Sequence, residues 1–500
     1  MASTTTLSAA AEANRREKYH EAEVVIVGAG VFGCAMAFAL ARQGRSVLLL
    51  ERWMHEPDRI VGELMQPGGV AALRKLGLEH ALEDIDAIPC VGYNVINQGT
   101  EVLIPYPYID DRGGVICTYR GESEEGGKRP QGRGFHHGRF IMQLRRACQA
   151  EPNITVVETE ATAPIRGDNS DQVLGVQALT KNPETGVKEK DYFFGQLTVV
   201  ADGYASKFRA DHLHAKPLVR SKFYALKLID CPLPHKGYGH VIIGDTFPVL
   251  LYQIGTHETR ALIDVPENLP SASPAAGGAR GYIRNVVVPA LPEQLRPCVL
   301  RALEDGKLPK SMPNSWLPPT RQKANGLVVL GDAMNMRHPL TGGGMTVALN
   351  DVVTLTELLT PEKVPSLNDV PAVQDAMDTF HWRRKRYTSI INVLAQALYS
   401  LFAADSRQLR ALRRGCFGYF SKGITEEPAG LLGGVLHNPW VLTRHFFAVA
   451  FLGIWMNAVQ LVTSNWALGI FMVPVALVDA VLILWRACVV FLPVVWEELK

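Results

Sequence analysis

Six residues near the start of the chain, Gly28-Ala29-Gly30-Val31-Phe32-Gly33, have the types and spacing that hold a pyrophosphate. Gly28 permits a tight turn, Gly30 lets backbone amides approach phosphate oxygens, and Gly33 lets a helix pack closely on the preceding strand. Glu51, at the end of the next apolar run, supplies a carboxylate that can accept hydrogen bonds from a ribose. Two later stretches, VVADGYASKFR at 199–209 and GDAMNMRHPLTGGGM at 331–345, place further polar turns after apolar runs. The chemistry such a set serves is that of a bound dinucleotide. His136-His137 has no third ligand at helical or hairpin spacing, so no metal is assigned to it. The eight cysteines are scattered without a CxxC, which reads as reduced thiols rather than a zinc site or a disulfide frame.

The elements that must position these residues follow from periodicity. EVVIVG at 23–28, the small and apolar VFGCAMAFALARQG, and SVLLLE at 46–51 read as strand, helix, strand, a βαβ unit with a parallel sheet. Further strands are expected at 154–161, 173–180, 193–201 and 327–332. Alternating segments within 216–320, such as KFYALKLID, suit a second, antiparallel sheet. The fold class expected is α/β: a Rossmann-like dinucleotide domain interleaved with a mixed or antiparallel-sheet substrate domain, plus C-terminal helices. The segmentation is a flexible tail over 1–21; a nucleotide domain over 22–100, 135–215 and 321–360; a substrate domain over 101–134 and 216–320; a helical segment over 372–438; and a helical hairpin over 439–500. Within this scheme 121–134 is expected to be a flexible loop and 269–279 a surface loop.

Fifty-one basic against 49 acidic residues leave a formal charge of +2, with no signature of nucleic-acid binding. The first twenty residues lack the apolar core of a secretory signal, which places the N-terminus in the cytosol. The last sixty are different: two apolar runs suit contact with membrane lipid. Asn457, Gln460, Asp479, Arg486 and two prolines interrupt them, which favours a shallow antiparallel hairpin over regular spans. Arg383-Arg384-Lys385-Arg386 reads as a solvated helix face or a stripe near anionic headgroups.

Asp-Gly followed by Ser and Arg, then Gly-Asp followed by proline and a glycine cluster, are similar to the two later fingerprints of the flavoprotein monooxygenases. Within that group the chain resembles the squalene epoxidases from about residue 21 onward. The segments that carry the likeness are EPDRIVGELMQPGG (56–69), FHHGRFIMQLRRA (135–147), LGDAMNMRHPLTGGGMTVALND (330–351), NVLAQALYSLF (392–402) and HFFAVA (445–450). The resemblance implies FAD rather than NAD. It implies cofactor contacts at Val31, Phe32, Glu51, Arg52, Arg59, Leu64, Arg145, Ala161, Asp332 and Met345, beside the glycines Gly28, Gly30 and Gly33. It also implies that Tyr93 and Gln66 stand beside the flavin, with the Tyr93 hydroxyl hydrogen-bonded to Gln66.

The activity implied is insertion of one oxygen of O2 into squalene, giving (S)-2,3-epoxysqualene in sterol biosynthesis, with oxygen activated at the C4a carbon of the reduced flavin. An alkene attacking that oxygen needs no protein nucleophile; the protein must supply position, dryness and a long apolar cavity, lined in part by the 392–402 helix. Electrons are expected from a separate NADPH-dependent cytochrome reductase, on the cytosolic face of the endoplasmic reticulum membrane. The competing readings are another flavin enzyme of the same fold, a halogenase or prenyl-chain reductase, and a flavin-binding membrane protein without turnover. No tryptophan here lies in the WxWxIP segment of such halogenases.

Overall fold

The computed structural model describes residues 9–168, 170–244, 246–304, 309–404, 406–463 and 469–500. Five parallel strands run side by side in the order Ile154–Arg166, Val47–Glu51, Glu21–Val27, Lys188–Val200, Leu327–Val329. Their apolar runs are buried on both faces, as a sheet covered by helices requires. The outer halves of Ile154–Arg166 and Lys188–Val200 diverge from this sheet and are bridged antiparallel by Val173–Lys181. Val31–Ala41, whose small residues let it lie close to the sheet, follows the glycine turn and is almost wholly buried.

The second sheet has seven strands in the order Lys310–Trp316, Leu218–Ile229, Glu258–Pro266, Val249–Gln253, Tyr238–Ile243, Gly92–Asn97, Thr100–Pro105. Only the pairing of Tyr238–Ile243 with Gly92–Asn97 is parallel. A small third sheet, Leu64–Met65, Gly132–Gly134 and Ile88–Cys90, joins the two layers. Among the described residues, five α-helices follow: Val370–Ala403, Arg407–Phe420, Glu426–Leu432, Pro439–Thr463 and Val473–Leu499. Asp369 and Ser406 cap the first two by accepting from the amides of Ala372 and Leu409.

Four details differ from the sequence reading. Gly92–Asn97 belongs to the seven-stranded sheet rather than to the nucleotide domain, because its alternating side chains pair with Tyr238–Ile243 and Thr100–Pro105. Gly132–Gly134, expected in a loop, is a strand whose glycines let it pass close to Met65 and Gln253 carbonyls. The expected tail contains the helix Ala9–Tyr19, pinned by Arg16, which donates to the Pro152 carbonyl at 2.6 Å and to Thr155; residues 1–8 lie outside the described residues. The 269–279 stretch holds two short 3-10 turns and opens the helix Gly278–Tyr282.

Candidate active site

The glycine turn is shaped by three different constraints. Gly28 has φ +105°, and a Cβ there would stand 2.5 Å from the Ala201 carbonyl oxygen. A Cβ on Gly33 would stand 1.8 Å from the Gly28 carbonyl oxygen, so the turn and its helix meet backbone to backbone. Gly30 is unlike both: its φ is −87°, and a Cβ would meet nothing within 4 Å. No protein atom demands glycine at 30. The open space beside it belongs to a cavity of about 200 Å³ between the two large sheets, room that a phosphate drawn close to the backbone would need.

Glu51 and Arg145 hold this turn from behind. Glu51 accepts from the Ala29 amide at 2.9 Å and the Trp53 amide at 3.1 Å. Arg145 lies 3.3 Å from the same carboxylate and donates to the carbonyls of Ala29, Trp53 and His55. The two other turns are sewn together by one side chain. Arg209 donates to the carbonyls of Gly203 and Tyr204 in the first and of Asp332 and Ala333 in the second, at 2.7–3.2 Å. Gly344–Leu358 starts at the cavity wall, so its N-terminal amides and the positive end of its dipole face the same space.

Of the residues expected to touch FAD, Val31, Phe32, Arg59, Leu64, Asp332 and Met345 line this one cavity together with Gly30. Glu51, Arg145, Gly28 and Gly33 shape the turn without forming the wall. Arg52 is exposed, its guanidinium 4.1 Å above the Trp53 ring, and Ala161 sits in the strand paired with Ala178; neither forms part of this wall.

Tyr93 lines the cavity and Gln66 lies fully buried next to it, but the expected bond between them is replaced. The hydroxyl of Tyr106 donates to Gln66 Oε1 at 2.5 Å, and Gln66 Nε2 donates to the Thr341 carbonyl at 2.8 Å. Tyr106 reaches Gln66 because the strand Thr100–Pro105 ends beside it, and its ring packs edge-on against Tyr93 with centroids 5.7 Å apart. The Tyr93 hydroxyl feels both neighbours but has no hydrogen-bond partner, and burial pushes its pKa up. Tyr106 is a site residue that sequence reasoning missed, since only the fold brings it to Gln66.

A second cavity of about 80 Å³, almost wholly apolar, shares Tyr93, Val241 and Leu340 with the first. Its far wall is Leu394, Leu398 and Phe402 of the long helix, with Phe420 and Leu432 from the two that follow. The spacing of Leu394, Leu398 and Phe402, four residues apart, marks one helical face and was readable from sequence.

The family described as squalene epoxidase matches residues 194–471, and that of FAD-dependent oxidoreductases matches residues 23–55. A squalene epoxidase of Gibberella zeae is 64% identical over 489 residues, covering 98% of this chain and 98% of the relative. One from Aspergillus fumigatus is 54% identical, covering 97% and 95%. The squalene monooxygenase of Mus musculus is 40% identical, covering 100% of this chain and 82% of its own length. The chain belongs to the squalene epoxidase family. Among solved structures, the flavin-dependent brominase Bmp2 in a triple-mutant form shares the fold with a TM-score of 0.64 at 16% identity, covering 88% of this chain and 98% of its own. The p-nitrophenol 4-monooxygenase PnpA of Pseudomonas putida does so with 0.62 at 16%, covering 83% and 98%. The chain is thus a flavoprotein of the FAD-dependent monooxygenase fold.

Among the described residues this member of the squalene epoxidase family carries two single helices long and apolar enough to cross a membrane, Pro439–Thr463 and Val473–Leu499. They run antiparallel: Phe446 stacks on Phe491 at 4.2 Å, and Asn457 donates to Asp479 at 3.2 Å. The expected turn at 463–465 falls partly outside the described residues. Asn457 and Asp479 are buried, and they and the exposed Gln460 meet Arg414 and Arg407 of the neighbouring helix. Gly415 and Gly453 let that helix and the hairpin touch backbone to backbone. The opposite face exposes Trp440, Trp455, Val481, Trp485 and Trp496, each more than 60% accessible. Arg384, expected on a solvated face, is 1% exposed and pairs through two hydrogen bonds with buried Asp351; helix packing turns this one member of the basic run inward.

Proposed function

We propose that the chain is an FAD-dependent squalene monooxygenase that converts squalene, O2, two NADPH-derived electrons and two protons to (S)-2,3-epoxysqualene and water. The observation that carries this reading is the wall common to the two cavities. Tyr93, Val241 and Leu340 stand between a space bordered by the three fingerprint turns and an apolar space built by the helices that pack on the hairpin. When bound and reduced, FAD supplies the activated oxygen.

The chain's own residues bind, orient and keep the site dry. Gly30, Asp332 and the N-terminus of Gly344–Leu358 would hold the cofactor, backed by Glu51, Arg145 and Arg209. Leu394, Leu398 and Phe402 would align one end of the hydrocarbon so that its terminal double bond meets the Tyr93 wall. No side chain needs to act as a nucleophile. Tyr93 and Gln66, the latter held by Tyr106, shape the reacting end. The hairpin's exposed tryptophan and valine face would seat the enzyme on the cytosolic side of the endoplasmic reticulum membrane, where squalene dissolves and a separate NADPH-dependent cytochrome reductase can reach the flavin.

The test is anaerobic reduction of the purified holoenzyme followed by O2 and squalene, with product mass read out. Gain of one oxygen is expected. An unoxygenated, hydrogenated product would make the chain a prenyl-chain reductase, and unchanged squalene with a bound flavin would make it a binding protein without turnover. Asp332→Ala should lose both FAD and product.

A further inference from the structure

Beneath the flavin cavity lies a buried polar cluster that the account above does not use. Its centre is Asn335, 1% exposed, whose Oδ1 accepts from Arg337 at 3.0 Å, from Arg384 at 3.2 Å and from Asn392 at 3.2 Å. Asn335 is fixed in turn by donating to the Leu317 carbonyl at 2.8 Å. Arg337 lines the cavity and is 8% exposed. Its hydrogen bonds all go to neutral acceptors, the carbonyls of Asn335 and Gly344 and the Asn335 amide oxygen, and its Nε has no partner. This is a buried cation at the wall of a cavity, with one donor left over.

The cluster ends in an unexpected place. Asn392 also donates to Glu498 Oε1 at 2.7 Å, and Ser389 donates to Glu498 Oε2 at 2.9 Å. Glu498 is 2% exposed and sits in the last turn of Val473–Leu499, the second helix of the hairpin. A carboxylate pulled out of water this fully is costly unless its bonds are made, so the last turn of this helix is docked rather than loose.

We propose that Glu498 is a positioning residue of the flavin site: through Asn392 and Asn335 it fixes the Arg337 guanidinium at the cavity wall, where that cation favours the reduced, electron-rich form of the cofactor. The inference rests on the FAD reading given above. Charge near the isoalloxazine is one of the levers by which a protein sets flavin electronics, and a guanidinium worth that role must be held in place. Removing Glu498 frees Asn392 to rotate, leaves Asn335 with one fewer partner, and lets Arg337 drift from the cavity.

The experiment uses the full-length holoenzyme in membranes and compares Glu498→Ala, Glu498→Asp and Glu498→Gln for flavin midpoint potential, FAD dissociation and sedimentation. Glu498→Ala should bind reduced relative to oxidised FAD about tenfold less well, a fall of about 30 mV for a two-electron couple. Glu498→Asp, too short to reach both partners, should fall in the same direction. Glu498→Gln keeps an acceptor for Asn392 and should restore the potential. All three should sediment with membranes, since the contacts of Phe491 and Asp479 remain. Should Glu498→Ala fail to fold, Glu498→Asp decides. An unaltered potential in Glu498→Ala, or in Glu498→Asp where the alanine variant does not fold, with FAD bound, overturns the proposal; a wild-type protein that binds no FAD overturns the functional reading instead.

Discussion

Tyr106, not Tyr93, is bonded to Gln66, and the 2.5 Å contact leaves the Tyr93 hydroxyl buried without a partner at the meeting of the two cavities. A polar group kept in that state costs stability and is retained where it serves the site. The two tyrosines should therefore separate in mutagenesis. Tyr106→Phe strands Gln66 Oε1 and should cost about 1–3 kcal/mol of stability. Tyr93→Phe removes an unsatisfied hydroxyl and should leave the melting temperature unchanged or raised while epoxide formation falls several-fold with FAD bound. Thermal melts beside product assays read both; equal loss of stability in the two variants would refute the distinction.

Gly30 and Gly33 should also part company. Alanine at 33 would drive a methyl into the Gly28 carbonyl and should abolish folding. Alanine at 30 meets no protein atom. Gly30→Ala should fold with an unchanged apoprotein melt yet bind FAD at least tenfold more weakly, on the order of 1.4 kcal/mol. Titration of flavin fluorescence measures this, and wild-type affinity in Gly30→Ala would remove the phosphate from this turn.

Acid should weaken the fold through His137. Burial, reinforced by nearby Arg59, pushes its pKa down to about 3, while its Nδ1 bonds the Gly62 carbonyl. Between pH 6.5 and 3 the unfolded chain therefore takes up a proton that the folded chain refuses, and stability falls as pH falls, by about 2 kcal/mol at pH 5. Asp264 works in the opposite sense, because burial raises its carboxyl to about 6 and the folded chain takes up that proton first. The difference between wild type and His137→Asn isolates the histidine: the gap in urea midpoints should shift against wild type from pH 7 to pH 5. A constant gap would mean that His137 titrates normally.

The exposed face of the hairpin can be altered without touching the face that packs on the protein. Trp455→Ser combined with Val481→Asp and Trp485→Ser changes three residues that are 67–68% accessible and spares Ala450, Ile483 and Ala487 in the core. Membrane sedimentation should drop sharply while flavin content holds. Cutting the chain before Asn438 is a poorer probe, because it also takes Glu498 from its buried partner Asn392 and leaves Arg407 without Asp479.

Much of the site was legible in the sequence because its turns are local. The glycine turn, the Asp-Gly and Gly-Asp turns and the βαβ unit each declare themselves within a short span, and the structure assembles Val31, Phe32, Leu64, Asp332 and Met345 at one cavity. What was not legible depends on meetings between distant segments. Tyr106 lies forty positions from Gln66, and Asn335 gathers donors from residues 337, 384 and 392. The misreading of Arg384 has the same origin: a run of four basic residues looks uniformly solvated until a helix packs over one of them. Asp479 and Asn457 looked like flaws in a membrane segment, whereas they form its seam with the rest of the protein.

The tie between Asn392 and Glu498 bears on the order of events during synthesis. Gly28 and the first parallel strands, Glu21–Val27 and Val47–Glu51, are translated well before Glu498. A site whose floor waits for that segment cannot reach its final form until Glu498 has been made and docked on Asn392 and Ser389. Flavin capture should then follow, or accompany, docking of the last turn of Val473–Leu499, so that the chain becomes competent to oxidise only once its two apolar C-terminal helices are in place.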